Sequence, residues 1–106
     1  MRPIPSKIRK QLADDHFMRK CIYKDCPNQP EWEHAFIYSG KQVNETWAIV
    51  PVCTYHHRLQ GLDKQYNQFI ALERVSKAKR FDELKLKYPR FNWEQTYNYL
   101  KHIYGE

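Results

Sequence analysis

The chain has 106 residues, of which 42% are hydrophobic and 28% are charged, and its formal net charge is +6 at pH 7. This length predicts one domain over residues 1–106 with a modest core, and the basic charge favours a polyanionic partner. The sequence contains no run of about 18 apolar residues, so no membrane-spanning helix is predicted. Its first residues lack the apolar segment of a secretory signal. We therefore expect an intracellular protein with no membrane partner, in which the cysteines stay reduced.

The first predicted element is a helix over about residues 5–16. Ser6 can cap its N-terminus, and Ile8 and Leu12 lie four residues apart, which places both on one face. Phe17 follows roughly one turn later and extends this apolar face. We expect the helix to flank the core.

A loop and two strands follow. Residues 21–30 contain two prolines, an Asn and an Asp, which is the composition of a loop. Residues 31–38 and 43–53 are rich in aromatic and β-branched side chains and are predicted strands. Gly40, in the turn between them, can take a positive φ, so the two strands are expected to form a hairpin. Pro51 indicates an edge position or a strand end.

The remaining elements are predicted helices. Asp63 can cap a helix that continues to about residue 77, and a short helix over 81–87 should end before Pro89. Asn92 can cap a last helix, over about 92–104. The predicted fold class is α+β, with a central hairpin and helices on both flanks.

The number and spacing of the cysteines indicate a metal site. Three cysteines cannot all pair as disulfides within one chain. Cys21 and Cys26 lie in one loop, and Cys53 and His56 lie at a strand-to-helix junction where both can face one point. Three thiolates and an imidazole form a closed tetrahedral zinc shell. His57 follows directly, and on a helix its side chain would point about 100° away, so we assign the zinc to His56.

A second set of residues is suited to hydrolysis of a phosphodiester. His34 lies beside Glu33 on the first predicted strand, and strand neighbours point to opposite faces. An imidazole can take a proton from water at neutral pH. A hard divalent cation would stabilise the leaving oxygen, and His57 could hold it, with or without an acidic partner. Alternatively, His34 is a core histidine with its hydrogen bonds satisfied.

These motifs resemble the zinc-stapled members of the HNH (His-Me finger) endonuclease superfamily. The matching segments are Cys-x4-Cys at 21–26, Glu33-His34, and Ile-Val-Pro-Val-Cys-x2-His-His at 49–57. The resemblance covers about residues 21–70, and it extends to small phage-encoded proteins of this superfamily. His34 and His57 are 23 residues apart, a separation that suits the family motif.

The resemblance implies a ββα-metal (treble-clef) core over about residues 21–75 and metal-dependent cleavage of DNA or, less often, RNA. His34 would be the general base. His57 would bind the catalytic Mg²⁺ or Mn²⁺, with Glu33 or through water. The structural zinc would be held by Cys21, Cys26, Cys53 and His56. A phage origin would place the protein in the cytoplasm of a bacterial host, and cutting both strands would suit a homodimer.

The sequence departs from the family pattern at two positions. The family has an Asn five residues before the last cysteine of the strand, where this chain has Ala48, and Asn44 is the nearest substitute. The last ligand pair is Cys-x2-His in place of Cys-x2-Cys, an exchange that zinc accepts.

Two other functions remain open at this stage. One is a zinc-stabilised nucleic-acid-binding module without catalysis, which Ala48 favours. The other is a protein-interaction adaptor that would expose an apolar ridge on the last helix, although we expect that ridge to pack onto the hairpin. The ridge consists of Trp93, Tyr97, Leu100 and Tyr104.

Arg58 and Lys64 are candidate phosphate contacts, whether the protein is an endonuclease or a binding module, because they follow the metal site closely.

Overall fold

The computed structural model describes residues 4–23, 26–56 and 65–105. Its α-helices and strands are, in chain order, α1 (Ser6–Ala13), β1 (Pro30–His34), β2 (Ile37–Tyr38), β3 (Lys41–Gln42), β4 (Ile49–Cys53), α2 (Gln65–Lys77), α3 (Phe81–Lys87) and α4 (Trp93–Tyr104). Short 3₁₀ turns span His16–Arg19 and Thr46–Ala48, and residues 54–56 begin a helical turn. The predicted α+β class is confirmed.

The strands form two separate antiparallel pairs. β1 pairs with β4, from Pro30 opposite Cys53 to His34 opposite Ile49, and β2 pairs with β3. The predicted hairpin between 31–38 and 43–53 is therefore wrong in its extent, because the first strand breaks after His34 and the second begins only at Ile49.

The break has a physical cause in the apolar residues that interrupt the ladder. Phe36, Val43 and Trp47 are buried in the main core, so the backbone on either side leaves the sheet to direct these side chains inward. Gly40 has a φ of 79° and makes the predicted tight turn, together with Ser39 at a φ of 51°. Short strands β2 and β3 are the hairpin that remains.

Pro51 lies in the middle of β4 and is buried. Within the described residues β4 has β1 as its one strand neighbour, which agrees with the expected edge position. The free edge of β4 is used by the cysteine loop, because the Ile22 N–H donates to the Pro51 carbonyl at 2.9 Å.

The main core joins β4, α2 and α4. Trp93, at the start of α4, makes edge contacts with the rings of Phe36 and Trp47, at centroid separations of 5.3 and 5.6 Å. The predicted cap is present, since the Asn92 Oδ1 accepts the N–H of Gln95 at 3.0 Å. Trp93, Tyr97 and Leu100 are buried and Tyr104 packs against the same cluster, so the ridge is internal, as expected, and is not the exposed surface that an adaptor would use.

The second, smaller cluster lies between α1, the first 3₁₀ turn and the sheet. It contains Leu12, Met18 and Ile49, with Ile8 and Phe17 packed against it, as the predicted apolar face requires. The predicted cap at Ser6 is wrong. Ser6 is the first helical residue and follows Pro5, whose fixed φ (−57°) lets it precede the helix without a side-chain hydrogen bond.

The helices after the sheet begin and end close to their predicted limits. α3 spans 81–87 with Leu84 buried, and α2 ends at Lys77, whereas the predicted cap Asp63 lies outside the described residues. An ion pair of 2.6 Å between Arg74 of α2 and Asp15 joins α2 to the N-terminal segment. None of the helices in the described ranges is both long enough and apolar enough to cross a bilayer.

Candidate metal centre and the His34 site

Four side chains from three parts of the chain converge on one point. They are Cys21, Cys26, Cys53 and His56, and their ligand atoms all lie within 4.8 Å of one another. The cysteines are free thiols, and the separation of 3.7 Å between the Sγ atoms of Cys26 and Cys53 is far longer than the roughly 2.05 Å of a disulfide. The predicted Cys₃His cluster is therefore present, and it could hold a metal ion such as zinc.

Two distances within the cluster agree with a tetrahedron of zinc ligands. Zinc bonds of about 2.3 Å to sulfur and about 2.05 Å to nitrogen imply edges of about 3.8 Å between sulfurs and about 3.6 Å between sulfur and nitrogen. The Cys26–Cys53 separation is 3.7 Å, and Cys21 Sγ lies 3.6 Å from Nδ1 of His56. Cys53 Sγ and His56 Nδ1 are closer, at 3.1 Å, and a bound ion would separate them slightly. Nδ1 is thus the ligand atom of His56.

Backbone and amide N–H groups surround the sulfur atoms. Cys21 Sγ accepts the N–H of Cys53, and Cys53 Sγ accepts the N–H of His56, both at 3.4 Å. The side-chain amide of Asn28 donates to Cys53 Sγ at 3.7 Å. Asn28 was not predicted as part of the site, although its position two residues after Cys26, in a proline-containing loop, is the signal that could have indicated it. Such donors stabilise thiolates, which are the form that binds a metal.

The pKa values of the two neighbouring thiols, Cys53 and Cys26, are shifted in opposite directions. Burial raises the pKa of Cys53, but the backbone N–H and imidazole of His56 and the Asn28 amide outweigh it and bring the pKa to about 6. The backbone amide of Asn28 lowers the pKa of Cys26, yet burial and the nearby thiols outweigh it and raise the pKa. Of these two thiols, Cys53 is therefore the one that loses its proton at the lower pH.

Aromatic rings connect the metal centre to the main core. Tyr23 stacks on the imidazole of His56 with centroids 4.3 Å apart, and Tyr66 of α2 lies 4.9 Å from Tyr23. Tyr66 in turn contacts Tyr104 of α4, at 5.4 Å. Because a metal ligand supports a row of rings that reaches α4, loss of the metal would remove packing well beyond the loop.

His34 lies at the C-terminal end of β1, whereas Cys53 is paired with Pro30 at the N-terminal end. Its side chain is 7% exposed, and its Nε2 makes a hydrogen bond of 2.6 Å with Oδ1 of Asn44. A carbonyl oxygen can only accept, so Nε2 carries the proton and donates it to Asn44. In the neutral imidazole the lone pair is then on Nδ1. Asn44 is itself exposed, which places the imidazole just beneath the surface.

The position at which the family has an asparagine does not contribute a side-chain amide here. Ala48 is fully buried, and its carbonyl accepts the N–H of Ala35 at 2.8 Å. The amide that reaches His34 comes from Asn44, because the segment between β3 and β4 folds into a loop and a 3₁₀ turn. The substitute suggested by the sequence is therefore in contact with the histidine.

The other predicted catalytic and phosphate-binding residues are not brought to His34 within the described part of the chain. Glu33 is buried at 8% exposure and is opposite Val50, and the alternation of the strand directs it to the face opposite His34. His57, Arg58 and Lys64 lie outside the described residues.

The loop that carries Asn44 is anchored by its neighbour Glu45. The hydroxyl of Tyr88 donates to Glu45, and the ammonium group of Lys87 donates to it at 3.0 Å, which ties the loop to α3 and the residue that follows it. Burial raises the pKa of Glu45, but these donors outweigh it and hold the pKa below 4.5. Glu45 therefore fixes the loop that brings Asn44 to His34.

We expect Glu45→Gln to destabilise the fold by about 1–2 kcal/mol at pH 7, because the two donors lose a charged acceptor. The carboxylate contributes stability above its unfolded pKa and loses that contribution as pH falls through its lower folded pKa. The Tm difference between wild type and variant, measured by circular dichroism, should therefore shrink as pH falls below about 4, the ordinary range of a glutamate carboxyl. A difference independent of pH would contradict this assignment.

Comparisons with known proteins add no relative: no family model matches this sequence, and neither the curated proteins nor the solved structures yield a match.

Proposed function

We propose that this protein is a metal-dependent endonuclease of the HNH type that hydrolyses phosphodiester bonds in DNA. The observation that carries the proposal is the hydrogen bond between His34 and Asn44, which places the proton on Nε2 and the lone pair on Nδ1, where it can accept a proton. The net charge of +6 agrees with a polyanionic substrate.

In the proposed reaction Nδ1 of His34 takes a proton from a water molecule as the water oxygen attacks phosphorus. The bond between phosphorus and the leaving oxygen breaks, one strand end keeps the phosphate, and the leaving oxygen takes a proton from solvent. His57 would hold a Mg²⁺ or Mn²⁺ ion, which would neutralise phosphate charge when bound. Asn44 keeps the imidazole in the reactive tautomer and stabilises the imidazolium that forms, because its carbonyl accepts the Nε2–H in both states.

The zinc in this proposal is structural. Its four ligands come from the protein, and a tetrahedral shell closed in this way has no open position for water or substrate. The centre fixes the end of β4 and the cysteine loop, and through the β1–β4 pairing it fixes the strand that presents His34. His56 is thus assigned to the structural metal, and His34 is assigned to catalysis.

The proposal is tested by incubating the zinc-loaded wild type with supercoiled plasmid and with labelled single-stranded DNA and RNA. We expect nicking or cleavage in Mg²⁺ or Mn²⁺, and none when only the bound zinc is present. Salt-dependent binding without cleavage in any divalent ion would contradict the nuclease and indicate the nucleic-acid-binding module instead.

Asn44→Asp is expected to change the pH dependence of cleavage. A carboxylate beside the imidazole favours its protonated form. The free base then predominates only at higher pH, so the acid limb of the kcat/KM profile should move upward by about one pH unit. Asn44→Ala should lower the rate by about 10-fold to 100-fold, as loss of an orienting partner does. An unchanged pH profile in Asn44→Asp would show that the contact has no role in catalysis.

A further inference from the structure

We infer that a basic cleft on the N-terminal side of β1 binds the phosphate backbone of the substrate strand and guides it to His34. The cleft has a volume of about 610 Å³ and lies between α1, the first 3₁₀ turn and β1. That the bound nucleic-acid strand leads to His34 rests on the proposed function. Binding of the strand in the cleft does not. The residues used in the argument are Ile4, Arg9, Met18, Arg19, Glu31 and Trp32.

The cleft has two exposed guanidinium groups, of which that of Arg19 makes a hydrogen bond of 3.3 Å with Nδ1 of His16. Arg9 and Arg19 are exposed, and within the part of the chain that the structure describes neither has a carboxylate at ion-pair distance. Glu31 also lines the cleft, but its Oε1 accepts the hydroxyl of Thr54 at 3.0 Å. Two arginines against one carboxylate give the cleft a positive balance, which suits phosphates.

The floor of the cleft is apolar and holds Arg9 in place. The indole N–H of Trp32 donates to the Met18 carbonyl at 3.2 Å, which fixes the ring, and the Arg9 guanidinium lies 5.7 Å from the ring centroid. Ile4 and Met18 are buried beneath it. Sugar and base can pack on the Trp32 ring and the aliphatic floor, while the two guanidinium groups pair with phosphates. Arginines that pair with phosphates carry no sequence information, so we expect little sequence preference.

The cleft is aligned with the proposed catalytic histidine. Trp32 and His34 are two residues apart on β1, so they share a face of the strand and their Cα atoms are about 7 Å apart. A second hollow, which shares Arg19 with the cleft and adds Lys20, continues the basic surface toward the cysteine loop. A strand of a few nucleotides could therefore contact the cleft and His34 together.

The test is fluorescence anisotropy with a labelled 20-nucleotide single strand, titrated by zinc-loaded protein without added divalent ions at several salt concentrations. Arg9→Ala and Arg19→Ala should each weaken binding by about threefold to fivefold near 0.1 M salt. Each should also reduce the slope of log affinity against log salt by about 0.7. Lys10→Ala is the matched control, because it removes a neighbouring charge of α1 that does not line the cleft.

Tryptophan emission gives a second readout that locates the ligand. Trp47 and Trp93 are 3% and 1% exposed, whereas Trp32 is half-buried and lines the cleft. Addition of the unlabelled strand should therefore change the emission of wild type, and the same addition to Trp32→Phe should change it little. An emission change that persists in Trp32→Phe would overturn the assignment of the cleft.

The outcomes separate this inference from the nuclease proposal. Arginine-dependent binding without cleavage would support the cleft and reject the enzyme. Cleavage by a protein in which Arg9→Ala, Arg19→Ala and Lys10→Ala bind alike would support the enzyme and overturn the cleft. Equal effects of the three variants on the salt slope would likewise show that only the overall charge matters.

Discussion

Replacing Cys53 with serine is expected to leave the chain without a bound metal and largely unfolded at 25 °C. Binding of zinc to a structural site of this kind provides about 10–16 kcal/mol in small zinc domains, whereas whole domains are stable by only about 5–15 kcal/mol. Cys53 contributes a ligand, ends β4 and accepts the His56 and Asn28 N–H groups. Its removal should therefore eliminate the cooperative thermal transition in circular dichroism and reduce bound zinc, measured by elemental analysis, from one ion per chain to none.

Thr54→Ser is the matched control because it introduces the same residue at the next position, where the side chain is exposed and the hydroxyl bond to Glu31 can persist. This variant should keep its zinc and unfold within a few degrees of wild type. Removing zinc from wild type with a strong chelator should reproduce the spectrum of Cys53→Ser. Native-like unfolding of Cys53→Ser without metal would show that the cluster is not a structural metal site.

Replacing His34 with glutamine is expected to lower the rate of DNA cleavage by about 10²–10⁴-fold, the usual contribution of a general base. Glutamine is chosen because its side-chain amide can still donate to the Oδ1 of Asn44 and fills similar space, but it cannot accept a proton from water. Zinc content and the affinity for DNA should stay at wild-type values. The measurement is single-turnover cleavage in Mg²⁺ or Mn²⁺, which separates chemistry from binding.

The matched control is His102→Ala, which removes an exposed histidine from the last turn of α4. It should cleave at the wild-type rate. If His34→Gln cleaves within about twofold of His102→Ala while both retain zinc, His34 is not the general base. Loss of zinc or of folding in His34→Gln would contradict the separation of the two histidine sites along β1.

The metal cluster could be predicted from sequence because its ligands come in two local pairs. The spacing of Cys21 and Cys26 in a loop, and of Cys53 and His56 after a strand, leaves few ways to orient the sulfur and nitrogen atoms except toward a common point. The capped helix after Asn92 and the helix ending before Pro89 were predictable for the same reason, since each boundary depends on residues within one turn.

The His34 site could be predicted only in part, because its geometry depends on whether residues 43–48 pair as a strand or pack into the core. Residues 43–48 have the composition of a strand, but burial of Val43 and Trp47 takes them out of the sheet. That change brings Asn44 to His34, a contact between residues ten apart that no alternating pattern indicates. Asn28 and Tyr23 were missed as supports of the metal centre, since loop residues have no periodicity from which a direction can be read.

X-ray absorption at the zinc edge, on the zinc-loaded wild type, tests most directly whether one Cys₃His centre organises this fold. The geometry predicts three sulfur ligands at about 2.3 Å and one imidazole nitrogen at about 2.0–2.1 Å. His56→Ala should lose the imidazole signal, whereas His102→Ala should keep the wild-type spectrum. A shell rich in oxygen, or an imidazole signal that persists in His56→Ala, would contradict the assignment of the metal to these four residues.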